Sequence, residues 1–376
     1  MCLGCSLFSG PWPGRNKRSV CFSLTIYQSI DIEASMLSRS AILGASLLVL
    51  SSLGACQSER PEVVYEGEAV DVVDMHLHTG HWHGIGPSSQ RFLAERFPHP
   101  IGLNAETSAE EQIQPKGILG EMDRAGIRRS VLFAVYAPRT VGITTNENVI
   151  QNTAVDPDRL FGFASLPVDA WDLHSAEALE QLDDALEHPQ MIGVKLAHTH
   201  MRFRMDDPAY YPIYELAGSR RSPVYLHIGP TPFPGAALEP QYTDPRYLRE
   251  AIATHPETQF VLGHLGFDFI EKTEGSLEDC LSLAKEFSNV WIEASAMGSE
   301  ASDPEGKQLA HALTRIREEN LTHRFLYGSD GPQAPGFVEE YLTRTIAAMT
   351  RAGWTLSEAR AGLSGNFDEL FFRELE

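Results

Sequence analysis

Several short segments of this sequence end on side chains that hold metals. Asp74-Met75-His76-Leu77-His78 closes a β-branched apolar run. GVKL carries Lys195, YLHIG carries His227, FVLGHLG carries His264 and LYGSD carries Asp330. In an extended segment residues two apart point the same way, so His76 and His78 face one direction together. By the same alternation Asp74 is expected to point with them, either orienting an imidazole or supporting the strand. Imidazole and carboxylate suit zinc first, and also manganese, iron or cobalt. Any one of these histidines, read alone, is a loop residue or a hydrogen-bonded core side chain. Their recurrence at one strand end after another is what points to a site.

The elements that must position them follow a regular alternation. Strands are expected at 70–75, 130–136, 161–166, 192–196, 224–228, 259–263, 290–294 and 325–328. Most are near-continuous apolar runs, as parallel strands buried on both faces require. Helical stretches lie between them, at 110–125, 175–187, 210–221, 245–254, 277–287, 304–319 and 337–351. His188-Pro189, Ser222-Pro223, His255-Pro256 and Asp303-Pro304 punctuate the junctions. Eight such units over about 300 residues predict an α/β fold, a single-domain (β/α)8 TIM barrel, with an insertion at 79–107 after the first strand. An open doubly wound sheet is the runner-up, but no Gly-rich phosphate fingerprint follows the first strand. Barrel chemistry is built at the C-terminal strand ends, where the titratable residues collect.

Composition narrows the class. The chain has 376 residues, 43% hydrophobic and 22% charged, with 30 Lys plus Arg against 51 Asp plus Glu. A net charge of -21 argues against nucleic acid, which needs a basic face. Five cysteines in this length do not make a disulfide scaffold. A small-molecule enzyme or a ligand-binding domain remains.

The N-terminal region reads as an address. Residues 36–56, MLSRSAILGASLLVLSSLGAC, hold one arginine, an apolar run and small residues before a cysteine, an export signal rather than a span. The ending Leu53-Gly54-Ala55-Cys56 looks like a bacterial lipobox, which implies lipidation of Cys56. With Gln57 rather than Asp next, the resemblance implies a lipoprotein on the outer membrane facing the periplasm, with the lipid as its sole membrane attachment. Residues 1–35 precede that signal and read as a mis-assigned upstream extension. Residues 57–69 are polar and acidic, a short tether, and the barrel domain is expected over 70–376. Cys280 falls in a helical pattern and reads as core.

From the DMHLH segment through the closing GNFDELF, the sequence resembles the amidohydrolase superfamily, in particular its aminocarboxymuconate semialdehyde decarboxylase-like group. The resemblance implies a metal-dependent enzyme in which His76, His78, His227 and Asp330 hold the metal. His264 would be a second-metal ligand or a group polarising substrate or water. Lys195 would bridge two metals if carboxylated; the resemblance leans toward one metal, with Lys195 then a charge partner of Asp330 or of a substrate carboxylate. A homodimer is the family expectation.

The expected chemistry is hydrolysis of an amide, ester or lactone. Asp330 would move the proton of an activated water, and His264 would donate to the developing oxyanion. The same residues could run a non-oxidative decarboxylation of a small aromatic acid; export tilts the reading toward hydrolysis. After strand 1 come His81, Trp82 and His83, and after strand 4 come His198, His200, Arg202, Phe203 and Arg204. Arg202 or Arg204 could clamp a substrate carboxylate, and Trp82 could wall an aromatic ligand. Solvated loop residues are the plainer account of each. Glu293 falls at the mouth with no role assigned. A metal-free hydrolase and a tethered binding protein that has lost turnover are the competing functions.

Overall fold

The alternation of apolar runs and helices closes into a ring of parallel strands: β1 (Val73–His78), β2 (Arg129–Phe133), β3 (Leu160–Ala164), β4 (Met191–Leu196), β5 (Val224–His227), β6 (Phe260–Gly263), β7 (Val290–Glu293) and β8 (Phe325–Leu326). The computed structural model describes residues 60–97 and 104–372. Neighbouring strands pair in sequence order across one 8-stranded sheet. Its two ends meet at a seam. Leu77 bridges Gly331 in parallel, and Met75 N donates to Tyr327 O at 3.0 Å, His78 N to Gly331 O at 2.7 Å and Asp330 N to His76 O at 2.9 Å. The (β/α)8 expectation holds.

Two layers of core lie on either face of the sheet. Inside the ring, Val73, Met75, Val131, Phe133, Phe163, Tyr225, Val261, Trp291 and Leu326 form one buried cluster. Outside it, alternate residues such as Leu77, Leu132, Val194, Leu226, Leu262 and Ile292 pack under the helices. This two-sided burial is why the strands read as continuous apolar runs. Phe367, from the last helix Asn366–Phe372, enters the inner cluster. Asn366 fixes that helix by donating to Thr322 O at 2.8 Å and Phe325 O at 2.7 Å.

β1 breaks the expected alternation. Val73 and Met75 face the interior, yet Leu77 faces outward, and the pairing with β2 shifts register between Asp74 and Leu77. A bulge of one residue changes the face of everything after it. It turns His76 and His78 into the ring and leaves Asp74 on the other side, against the seam. The expectation that Asp74 points with the two histidines is thereby corrected. Its Oδ1 accepts from His76 N at 3.0 Å and Ser329 N at 2.9 Å, and its Oδ2 from Ser329 Oγ at 2.6 Å. Asp74 therefore ties β1 to the segment after β8.

The insertion after β1 has a core of its own. Helices Pro87–Arg96 and Ala105–Ile113 bury Leu93, Phe97, Ala109 and Ile113 together, with Trp82, Ile85 and Phe92 packed against them. The helix expected at 110–125 is two helices, because Pro115 holds Gln114 extended (ψ 159°) and starts a new one, Pro115–Ala125. The strand expected at 130–136 stops at Phe133, and an antiparallel hairpin, Val135–Ala137 with Gly142–Thr144, follows over the mouth side. Residues 60–69, expected within a tether, join the folded unit instead. Val64–Tyr65 pairs with Glu68–Ala69, and the buried Tyr65 donates its hydroxyl to Trp354 O at 2.7 Å. The expected upstream extension, export signal and Cys56 lie outside the described residues. Among the described residues no helix is long and apolar enough to cross a membrane.

Candidate metal centre

The strand ends bring most of the expected residues into one buried cluster. His76 Nε2 lies 3.3 Å from His78 Nε2 and 3.0 Å from Asp330 Oδ1, and His78 Nε2 is 2.8 Å from the same oxygen. Ligand atoms of His76, His264 and Asp330 all fall within 4.8 Å of one another. His264 stacks edgewise on His227, ring centroids 4.4 Å apart. His76 and His264 are fully buried, whereas His78 opens toward the mouth with 39% of its side chain exposed. Asp330 has a left-handed backbone (φ 67°), which aims its carboxylate across the seam at the β1 histidines. Gln333 donates to its second oxygen at 2.8 Å.

Burial and charge set the protonation states. Burial works to raise the Asp330 carboxyl, but the charges and hydrogen bonds of His76 and His78 outweigh it and hold it well below the usual range. Burial pushes His264 down to about 4 and His227 well below its ordinary value. Both are neutral imidazoles at pH 7. His264 Nδ1 donates to the Ser295 backbone carbonyl at 3.1 Å, an atom that can only accept. The other nitrogen, Nε2, is therefore the bare one. Burial lowers Lys195 to about 7, against the pull of Asp330 and Glu293. Its Nζ lies 3.9 Å over the Tyr225 ring and 4.7 Å over that of Phe133.

The donor set fits a divalent cation. Two imidazole nitrogens and an ionised carboxylate oxygen converge where neither nitrogen has another acceptor, and His227 Nε2 is buried with no hydrogen-bond partner among the described residues. An orphaned buried ring nitrogen beside such a convergence is what an ion would satisfy. His76, His78 and Asp330 stand at the convergence, His264 lies within 4.8 Å of His76 and Asp330, and His227 packs against His264.

The sequence marks no role for the other residues that gather at the cluster. Glu293 is fully buried at the end of β7 and accepts from Tyr225 Oη, Ser295 Oγ and His264 N. The alternation that flagged His227 also places Tyr225, two residues earlier, on the same inward face. His200, from the short helix His198–Met201, is buried, packs edgewise on His227 at 5.1 Å and has Nδ1 3.0 Å from Thr140 Oγ1. The remaining loop candidates sit elsewhere. Arg204 is exposed and engages Asp206 through two bonds of 2.9 and 2.7 Å. Arg202 is exposed and donates to Gly235 O at 2.8 Å, and Trp82 belongs to the core of the insertion.

A protein-family profile described as amidohydrolase matches residues 73–371. No curated protein matches the sequence. Among solved structures, an uncharacterized TIM-barrel protein from Bordetella bronchiseptica is 19% identical, with a TM-score of 0.59 over 80% of this chain and 98% of its own. A probable 2-pyrone-4,6-dicarboxylic acid hydrolase from Acinetobacter baumannii, with citric acid bound, is 18% identical, with a TM-score of 0.53 over 80% and 99%. A 2,6-dihydroxybenzoate decarboxylase from Rhizobium is 16% identical, with a TM-score of 0.54 over 80% and 98%. At these identities the likeness is one of fold.

Proposed function

Because this chain belongs to the amidohydrolase family, we propose that it is a metal-dependent hydrolase that cleaves an amide, ester or lactone bond with activated water. The observation that carries this reading is the convergence of His76 Nε2, His78 Nε2 and Asp330 Oδ1 within 3.3 Å of one another. His76, His78, His227 and Asp330 would hold a divalent ion, zinc first. When bound there, such an ion supplies a water whose pKa falls from about 15.7 toward about 7.

The chain's own residues do the rest. Asp330 is ionised at neutral pH, so it can take a proton from water at Oδ1 and pass it to the leaving group. His264, with its Nδ1 proton committed to Ser295 O, offers Nε2 as an acceptor. That suits a ligand or base better than the oxyanion donor expected from the sequence. Lys195, buried beside Asp330, would meet negative charge on the substrate. Lipidation at Cys56, anchorage facing the periplasm and homodimerisation complete the proposal.

Elemental analysis of the purified protein tests it, followed by assays on lactones, esters, amides and small aromatic acids. About one metal per chain and acid release from a lactone or ester would support the reading. About two metals would make Lys195 a carboxylated bridge. Carbon dioxide release from an aromatic acid would make the enzyme a decarboxylase instead. No metal after growth with zinc and manganese would sink the metalloenzyme.

A further inference from the structure

The two oxygens of Asp330 keep different company. Oδ1 faces His76 Nε2 at 3.0 Å and His78 Nε2 at 2.8 Å. Oδ2 turns to Gln333, a residue outside the expected site. Gln333 Nε2 donates to Oδ2 at 2.8 Å and to the Asp330 backbone carbonyl at 3.0 Å. A carbonyl oxygen can only accept, so the nitrogen of the Gln333 amide stands there and not its oxygen. A primary amide has two N–H protons, and both are committed to this one residue. Asp330 sits in the left-handed region (φ 67°), which an aspartate holds with the help of local hydrogen bonds. A single amide thus ties its backbone and its side chain together.

Gln333 is itself held in place. Upstream, its segment is pinned by Asp330 N to His76 O at 2.9 Å and by His78 N to Gly331 O at 2.7 Å. Downstream, Gly336 N donates to both oxygens of the buried Glu121, each at 3.0 Å. The half-buried Gln333 amide is therefore presented from a fixed backbone. We infer that Gln333 is a positioning residue: by holding Asp330 Oδ2 it limits that carboxylate to one oxygen, Oδ1, at the metal centre. A carboxylate can bind a cation through one oxygen or both. A second oxygen would take the place that a catalytic site keeps open for water or substrate. Gln333 so sets both the strength of the site and its number of ligands.

The two bonds from Gln333 stand by themselves; their purpose rests on the metal-hydrolase reading. Two measurements on the full chain test it, one of strength and one of geometry. Gln333→Met keeps the length of the side chain and removes the donor. Zinc affinity, read by competition with a chromophoric chelator, should fall by about 10–100-fold while circular dichroism stays native. Cobalt(II) loaded in place of zinc reports the ligand count through its visible absorption, which is strong when few ligands surround the ion and weak when it is octahedral. The bands should be weaker in Gln333→Met than in the native protein, as Oδ2 joins Oδ1. A loosened fold with the same ligands would not move them. A folded Gln333→Met with native zinc affinity, or with lower affinity but native cobalt bands, would overturn the inference. Should Gln333→Met not fold, Gln333→Asn keeps an amide that ends one methylene short of Oδ2, with the same two changes expected. A native protein that binds neither zinc nor cobalt would sink the metal reading and the role of Gln333 with it. Variants that match a native protein binding both would sink the inference alone.

Discussion

Removing Asp74 should unfasten the barrel seam. Its Oδ1 serves two backbone donors, His76 N and Ser329 N, and its Oδ2 serves the Ser329 hydroxyl. In Asp74→Ala the hydroxyl can rotate to another acceptor, but the two buried N–H groups have nowhere to turn. Each unsatisfied group costs about 1–3 kcal/mol, so the variant should lose about 2–6 kcal/mol, a large share of the roughly 5–15 kcal/mol that holds a typical domain. Asp74→Asn should behave differently. Its amide oxygen keeps both N–H bonds, and Nδ2 can donate to Ser329 Oγ, which already accepts from Gly331 N at 3.1 Å and has a second lone pair. The Asn variant should therefore sit within about 1 kcal/mol of the native protein at low pH.

The comparison also has a pH signature. Burial, against the bonds from Ser329 and His76, raises the Asp74 carboxyl from 3.8 to about 7. The folded chain then keeps a proton that the unfolded chain releases. Stability is full below the unfolded value and declines as pH rises from about 4 to about 7, by up to about 1.4 kcal/mol per unit. Asp74→Asn lacks this loss, so its standing against the native protein should improve across that window. Urea denaturation followed by circular dichroism at a series of pH values measures all of this. A loss under about 1 kcal/mol in Asp74→Ala, or an equal loss in Asp74→Asn, would refute the reasoning.

Asp330→Asn should lose or loosen the bound metal in elemental analysis while its melting temperature holds; unchanged metal content would remove Asp330 from the ligand set. Gly263→Ala places a carbon 2.0 Å from Tyr225 Oη, so it should cost about 1–3 kcal/mol by overpacking and weaken zinc binding. Gly120, exposed within Pro115–Ala125, is the opposite case, since a Cβ there would meet nothing within 4 Å. Gly120→Ala should stabilise by about 0.5–1 kcal/mol in thermal melts and leave metal binding alone. Thr355→Ala removes a capping box at the start of Leu356–Arg360 and should cost about 1 kcal/mol, again without touching the metal.

The barrel was legible because strands buried on both faces and amphipathic helices leave opposite marks on a sequence. Helix Phe337–Arg351 falls where its periodicity places it, and β5 through β7 start within a residue of their apolar runs. The histidines were legible because two-residue spacing survives inside a strand. Asp74 was misplaced because a bulge is a pairing event between strands, and a single strand carries no mark of it. Glu293, Tyr225 and Ser295 each look like ordinary inward residues in their own segments. They become a network only when β5, β7 and the residues after them meet beneath His76. Arg202 and Arg204 stood out by charge and closeness to a strand end, but Asp206 and the Gly235 carbonyl engage them at the surface.

The separate core of the insertion has a consequence for how this enzyme could change. Leu93, Phe97, Ala109 and Ile113 bury one another, not the barrel. A segment that supplies its own interior can be altered, or exchanged for another of similar span, without opening the scaffold that holds the histidines. New substrates could thus be reached by drift within this module while the chemistry beneath stays fixed. Selection would have one part free to vary and another held constant, within a single chain.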